Sequence, residues 1–227
     1  MMDKELLERI KVVRRDLGHL LFHFAHTPEA PVNFTRGDVQ YGFGQSAGSI
    51  LQKILMEGCL LGTSKWIRGG YRCVCFTEAP IGELAALFSL ARIAANEGQR
   101  PRYEPYGVAV PKEWLFDRGG RPVVYQPDSE FELLPEDLRY RHVRYEPNRG
   151  IDHTWEREWR IKADKLILDP DHALVVVPTR DEAYGIMYDH SKPEPNTIDC
   201  GEGIVEDYWP KPTWTAVSLD LFGLSEA

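Results

Sequence analysis

The chain has 227 residues, 43% hydrophobic and 27% charged, enough to bury the core of one globular domain. A formal charge of -8 and a pI of about 5.4 exclude a protein that coats DNA through a global basic field; nucleic acid remains a substrate only where a local groove gathers arginines. Four cysteines without a paired CxxC spacing exclude a disulfide framework, predict no zinc site and fit a reducing cytoplasm.

Leu6, Ile10, Val13 and Leu17 recur at helical spacing and Gly18 offers a stop. This stretch is charged and lacks a signal peptide's apolar core. "HLLFHFAH" (19–26) reads as a strand. Residues 27–46 are rich in Gly, Pro and polar groups and predict a long loop, a cover with Tyr41 and Phe43 available to stack on a ring. "AGSILQKILMEGCL" (47–60) predicts a helix capped by Ser46 and stopped at Gly58. "YRCVCFT" (71–77) reads as a buried strand, after which Thr77 can cap a helix that carries Pro80 in its first turn and ends at Gly98. The most apolar run, 84–95, contains Ser89 and Arg92 and is too short to span a bilayer, so no membrane partner is expected.

Strands then dominate: "YGVAV" (106–110), "RPVVYQ" (121–126), "YRHVRYEP" (140–147), "WEREWRI" (155–161) and "ALVVVP" (173–178). Short helices are expected at "PKEWLF" (111–116) and "TRDEAYGIMYD" (179–189). Helices early and strands late, without regular alternation, predict an α+β fold rather than a doubly wound sheet. From Ser191 the chain is rich in proline and acid with little periodicity. The expected organisation is therefore one domain over 1–190 and a C-terminal wrapping tail over 191–227.

"WEREWRI" poses the functional question. Positions two apart on a strand share a face, so Glu156 and Glu158 are expected to point one way and Trp155, Arg157 and Trp159 the other. The glutamates are either a solvated face or part of a site. Arg68 and Arg72 flank a Gly-Gly-Tyr turn; they suit bidentate contact with a pyrophosphate, or are simply solvated. Thr77 and Glu78 stand where a strand meets a helix, as caps or as site groups. Tyr125 reads as core. Arg139, Arg141, Arg144 and Arg149, interleaved with tyrosines, form either a local basic path for a single strand or an exposed charged strand.

Taken in order, the strand with His23, the helix ending at Gly58, "VCFTEAP" (74–80), "PVVY" (Pro122 to Tyr125) and Glu158-Trp159 resemble the ADP-ribosyltransferase superfamily. The likeness is to DarT-type toxins in particular and covers roughly residues 20–165; the chain is also similar to AbiGi-type abortive-infection proteins of bacterial antiphage loci. The resemblance implies split mixed or antiparallel sheets flanked by helices, with NAD in a cleft between them. It assigns Glu158 as the catalytic carboxylate, accepting a hydrogen bond from the nicotinamide ribose and stabilising developing positive charge. Glu156 would orient the acceptor. His23, Arg68, Arg72, Tyr41 and Thr77 would hold NAD. The implied activity is transfer of ADP-ribose to nucleic acid or protein, or NAD hydrolysis, within an antiphage or toxin–antitoxin system that includes a cognate partner protein. Two other readings stay open: a catalytically inactive binding module or antitoxin-like regulator, and an RNA nuclease or phosphotransferase working through His23 and the arginines.

Overall fold

Runs that alternate apolar residues with a second residue type build the central sheet of the computed structural model, which describes residues 18–36, 39–84, 88, 103–199 and 204–222. In chain order the strands begin with β1 (Leu20–Phe24), β2 (Val32–Arg36), β3 (Val39–Gly44), β4 (Cys59–Leu61), β5 (Cys73–Thr77), β6 (Gly107–Pro111), β7 (Arg121–Pro122) and β8 (Val124–Gln126). They continue with β9 (His142–Arg144), β10 (Glu158–Lys162), β11 (Lys165–Ile167), β12 (Leu174–Val177), β13 (Ser191–Asp199), β14 (Ile204–Pro212) and β15 (Thr215–Ser218). The helices with defined ends are α1 (Ala47–Glu57), α2 (Lys112–Asp117) and α3 (Arg180–Asp189). Residues 81–84 and 88 are helical as well, the described part of the helix expected from Pro80. The helix expected over Leu6–Leu17 lies outside the described residues.

Seven strands form one sheet in the order β15-β12-β6-β1-β5-β10-β7, antiparallel throughout except for the parallel pair β12–β15. The fold is α+β. Period-two alternation gives the sheet two different faces. On the first, Leu21, Val74, Phe76, Val108, Val110, Trp159, Ile161, Val175 and Val177 join Leu51, Ile54 and Leu55 of α1, Leu115 of α2 and Ile186 of α3 in the main core. Each such side chain, fully buried, stabilises the fold by about 1.5–3 kcal/mol. On the second face, Phe24, Ala109 and Val176 pack beneath Leu84, Phe88 and Leu219. That apolar cover belongs to β1, β6 and β12. On β5 and β10 the same face carries Cys75, Thr77, Glu158 and Arg160 instead.

α1 forms where its caps predict. Ser46 accepts a hydrogen bond from the Ser49 amide at 3.1 Å, and Gly58, at φ +62°, donates its amide to the Ile54 carbonyl. A serine cap of this kind contributes about 1 kcal/mol. Thr179 and Glu182 make a reciprocal capping box at the start of α3.

The sheet is unevenly joined. β1 pairs with β6 over five residues, Leu20 to Phe24, but with β5 through Phe22–Thr77 alone. Beyond that pair the His23 ring reaches across, its Nδ1 2.8 Å from the Cys75 carbonyl oxygen. On the other side of β1 the approach is close: a Cβ at Gly107 would lie 2.4 Å from the His23 carbonyl oxygen.

Three segments differ from expectation. Within the loop expected over 27–46, Val32–Arg36 and Val39–Gly44 are strands that pair, from Val32–Gly44 to Arg36–Val39, across a bulge. β13 and β14 pair as a long antiparallel ribbon, with nine pairs from Ser191–Pro212 to Asp199–Ile204, and β15 then enters the main sheet beside β12. Prolines hid this ribbon in the sequence, yet a two-stranded ribbon leaves an open edge on each strand where a missing amide costs no pairing. Finally, Thr154–Glu156 is a 3-10 turn, and Arg157, at φ +44°, breaks the strand pattern before β10 begins at Glu158.

Gly107→Ala is expected to lower stability by about 1–3 kcal/mol, because the new methyl group meets backbone that cannot rotate aside. Urea unfolding measures it; an unchanged midpoint would mean that β6 can draw back from β1.

Candidate functional site

Glu158 and Arg160 stand two apart on β10 and therefore side by side on the second face. The guanidinium holds the carboxylate with both ends: Nε donates to Oε1 at 2.7 Å and Nη2 to Oε2 at 3.1 Å. Nη1 donates to the carbonyls of Tyr140 (2.9 Å) and His142 (2.8 Å), each at the end of a short turn or strand. Arg160 is only 4% exposed. Burial works hardest against its charge, but Glu158 more than offsets this, and the Arg160 pKa lies above its ordinary value. Beside the pair, burial first and the Glu158 carboxylate second push the Cys75 thiol pKa up, so Cys75 is protonated.

Around the carboxylate, Phe22, Thr77 and Glu158 line up across β1, β5 and β10. The Tyr125 hydroxyl accepts the Glu158 amide at 3.0 Å. Burial, with the charges of Glu158 and Glu156 adding to it, raises the Tyr125 pKa to about 12. The rings of His26, Tyr103 and Trp155 form a file, with centroids 6.1 Å and 5.8 Å apart. It runs from the end of β1 to the turn that precedes Glu158.

The expected site residues do not all converge here. Thr77 and Glu158 do, as a register pair. Thr77 is a fastening: its hydroxyl donates to the Glu156 carbonyl at 2.5 Å and accepts from the Ala79 amide at 3.0 Å, two residues on rather than at the start of the helix. Glu156 does not share a strand face with Glu158, because the left-handed Arg157 lies between them; its side chain is buried, 3.9 Å from His153 Nδ1. Nor does the expected grouping of Trp155 with Trp159 hold. Trp155 is exposed beside Tyr103, while Trp159 is buried in the main core and donates its indole N–H to Glu78.

His23 follows Phe22 and so takes the first face, edge-on to Phe76 at 5.7 Å. The strand register thus puts it on the side of the sheet opposite Glu158. The Cys75 carbonyl can only accept, which fixes Nδ1 as the protonated nitrogen of the neutral ring. Burial lowers the His23 pKa, favouring that neutral form.

Arg68 and Arg72 are committed elsewhere. Arg68 pairs with Asp128 at 2.8 Å and lies over the Phe131 ring, while Arg72 pairs with Asp164 at 2.7 Å and donates to the Gly62 carbonyl. The side chain of Tyr41 lies outside the described residues. The four arginines of 139–149 also have partners: Glu132 for Arg139, the Pro122 carbonyl for Arg141, and Glu146 for both Arg144 and Arg149. Those last two hydrogen-bonded arginines hold the Glu146 carboxyl down to about 2.

Sequence reasoning took Tyr125 as core, left Arg160 a neighbour of the glutamates without a role, and did not foresee the His26–Tyr103–Trp155 file. Only Arg160 carried a usable signal, an opposite charge two residues from Glu158 on a strand. Among the described residues no group of three or more His, Cys, Asp or Glu could hold a metal ion, and no helix is long and apolar enough to cross a membrane. Comparison of the chain with protein-family models, curated proteins and solved structures returned no match.

Arg160→Ala, which leaves the Glu158 carboxylate without its partner, is expected to cost about 3–5 kcal/mol in denaturant unfolding; a loss below 1 kcal/mol would mean that water replaces the guanidinium. His23 gives a pH signature. Its pKa is lower folded than unfolded, so its contribution is complete above the unfolded value near 6.5. It is lost progressively as the pH falls below that value toward the folded one. His23→Asn can keep a donor to the Cys75 carbonyl and is expected to flatten the stability loss between about pH 7 and about pH 5. An identical pH dependence in the variant would assign the loss to His142 and His190, whose pKa values burial also lowers.

Proposed function

We propose that the chain is an ADP-ribosyltransferase-like protein that uses NAD as donor and acts from the β5–β10 face through Glu158. The observation that carries this reading is the pre-set carboxylate: Arg160 fixes both Glu158 oxygens, and the half-buried Tyr125 accepts the Glu158 amide. A carboxylate held in place before substrate arrives can accept a sugar hydroxyl and face developing positive charge without reorganising. The exposed Trp155 ring, edge-on to Tyr103, suits stacking on a nicotinamide or adenine. The weak β1–β5 seam, with a single register pair, supports an opening where the resemblance expects split sheets. NAD contacts in this reading come from Tyr125, Tyr103, Trp155 and His26 rather than from His23, Arg68 and Arg72. The setting is a bacterial antiphage or toxin–antitoxin system in the cytoplasm, with nucleic acid or protein as acceptor or water in its place.

One observation favours a second reading. Arg160 neutralises the charge that would act on the sugar, which suits a module that binds a nucleotide or a partner protein without turning anything over.

Nicotinamide release from NAD, with and without DNA, RNA and cell extract, separates the two readings. Glu158→Gln keeps the side-chain size and is expected to lower release at least about 100-fold, the usual effect of removing an electrostatic group aimed at the transition state. Undiminished release in Glu158→Gln would discard Glu158 as the catalytic group. NAD binding without release from the folded wild type would favour the binding module.

A further inference from the structure

Tyr125 has an unused hydrogen. Its oxygen is occupied as an acceptor by the Glu158 amide at 3.0 Å, and no acceptor for its own O–H occurs among the described residues. A phenol whose pKa is raised to about 12 keeps that proton throughout the physiological range. The ring is half-buried on β8, so the hydroxyl is positioned by packing and by the strand beside it rather than by solvent.

Glu158 is complementary. An ionised carboxylate has about four lone-pair positions. Arg160 takes two of them. That leaves acceptor capacity for a further donor. A single donor, the Tyr125 O–H, thus stands within one residue's reach of a carboxylate that can accept one more hydrogen. Two adjacent hydroxyl groups on a sugar ring match this pair: one donates to the carboxylate and its neighbour accepts from the phenol. A carboxamide offers the same donor and acceptor, so the choice of a diol rests on the reading of this face as a ribose site.

We propose that Tyr125 is a substrate-binding residue which, paired with Glu158, recognises the vicinal diol of a ribose. This rests on the reading of the β5–β10 face as an NAD site and adds the group that selects the sugar. Tyr125 works by holding one hydroxyl while Glu158 holds the other, so loss of either hydroxyl from the ligand removes one half of the recognition.

The test is calorimetric binding of NAD, and of the NAD analogues lacking the 2′ or the 3′ hydroxyl of the nicotinamide ribose, to wild type and Tyr125→Phe. Phenylalanine keeps the ring and its packing, and thermal melting of both proteins checks the fold. The variant is expected to bind NAD about three- to tenfold more weakly, the effect of one lost hydrogen bond. With one of the two analogues that difference is expected to vanish, because the hydroxyl it depends on is already gone. Equal affinities for NAD, or the same loss with all three ligands, would overturn the proposal; the latter would mean that Tyr125 acts only by supporting the Glu158 backbone. Failure of folded wild type to bind NAD would overturn the NAD reading and this inference together, whereas NAD binding with no hydroxyl dependence would remove only the inference.

Discussion

The buried guanidinium of Arg160 is the constraint on which the functional face depends. A charge taken almost wholly out of water must be matched by an opposite charge and by carbonyls at fixed places. Here the match draws in three groups: Glu158 on the same strand, and the carbonyls of Tyr140 and His142 where a 3-10 turn passes into β9. The 128–144 region is thereby held against β10. Asp128, at the head of that region, pairs with Arg68, so the loop before β5 is drawn to the same side. An interaction centred on one side chain therefore organises the polar half of a sheet whose other half is organised by apolar burial.

That division accounts for where chemistry can occur. Under β1, β6 and β12 the second face is covered by Leu84, Phe88 and Leu219 and offers nothing reactive. Under β5 and β10 the cover gives way to a thiol, a hydroxyl, a carboxylate and a guanidinium. The first face keeps the same apolar character from β12 to β10, which is why β10 can carry Glu158 and Arg160 and still be fastened by Trp159 and Ile161. The strand pattern Glu-Trp-Arg-Ile is a polar site and a core element read on alternate residues.

Much of the fold was legible because its determinants are local. Ser46 and Gly58 bound α1, Thr179 and Glu182 start α3, Val108 and Val110 stand two apart on β6, and β12 is a continuous apolar run buried on both faces. What was not legible depends on partners distant in the chain. The β2–β3 and β13–β14 ribbons owe their strands to pairing rather than propensity, and glycine or proline within them reads locally as loop. The face taken by His23 follows from the register of its neighbour Phe22 with Thr77, more than fifty residues later. The expected Glu156–Glu158 pairing failed for a smaller reason. A single left-handed backbone at Arg157, a residue type that seldom adopts it, turns one carboxylate away from the other.

The parallel pairing of β12 with β15 bears on how the molecule is made. Everything from β1 to β12 can assemble as the chain leaves the ribosome, but the outer edge of β12 stays unpaired until residues 215–218 have emerged. Through that interval a strand of Leu-Val-Val-Val presents open hydrogen-bonding groups, the kind of surface on which nascent chains associate. The α3 helix and the ribbon that follows it are synthesised in between. The last-formed strand is thus the one that closes the sheet's most adhesive border.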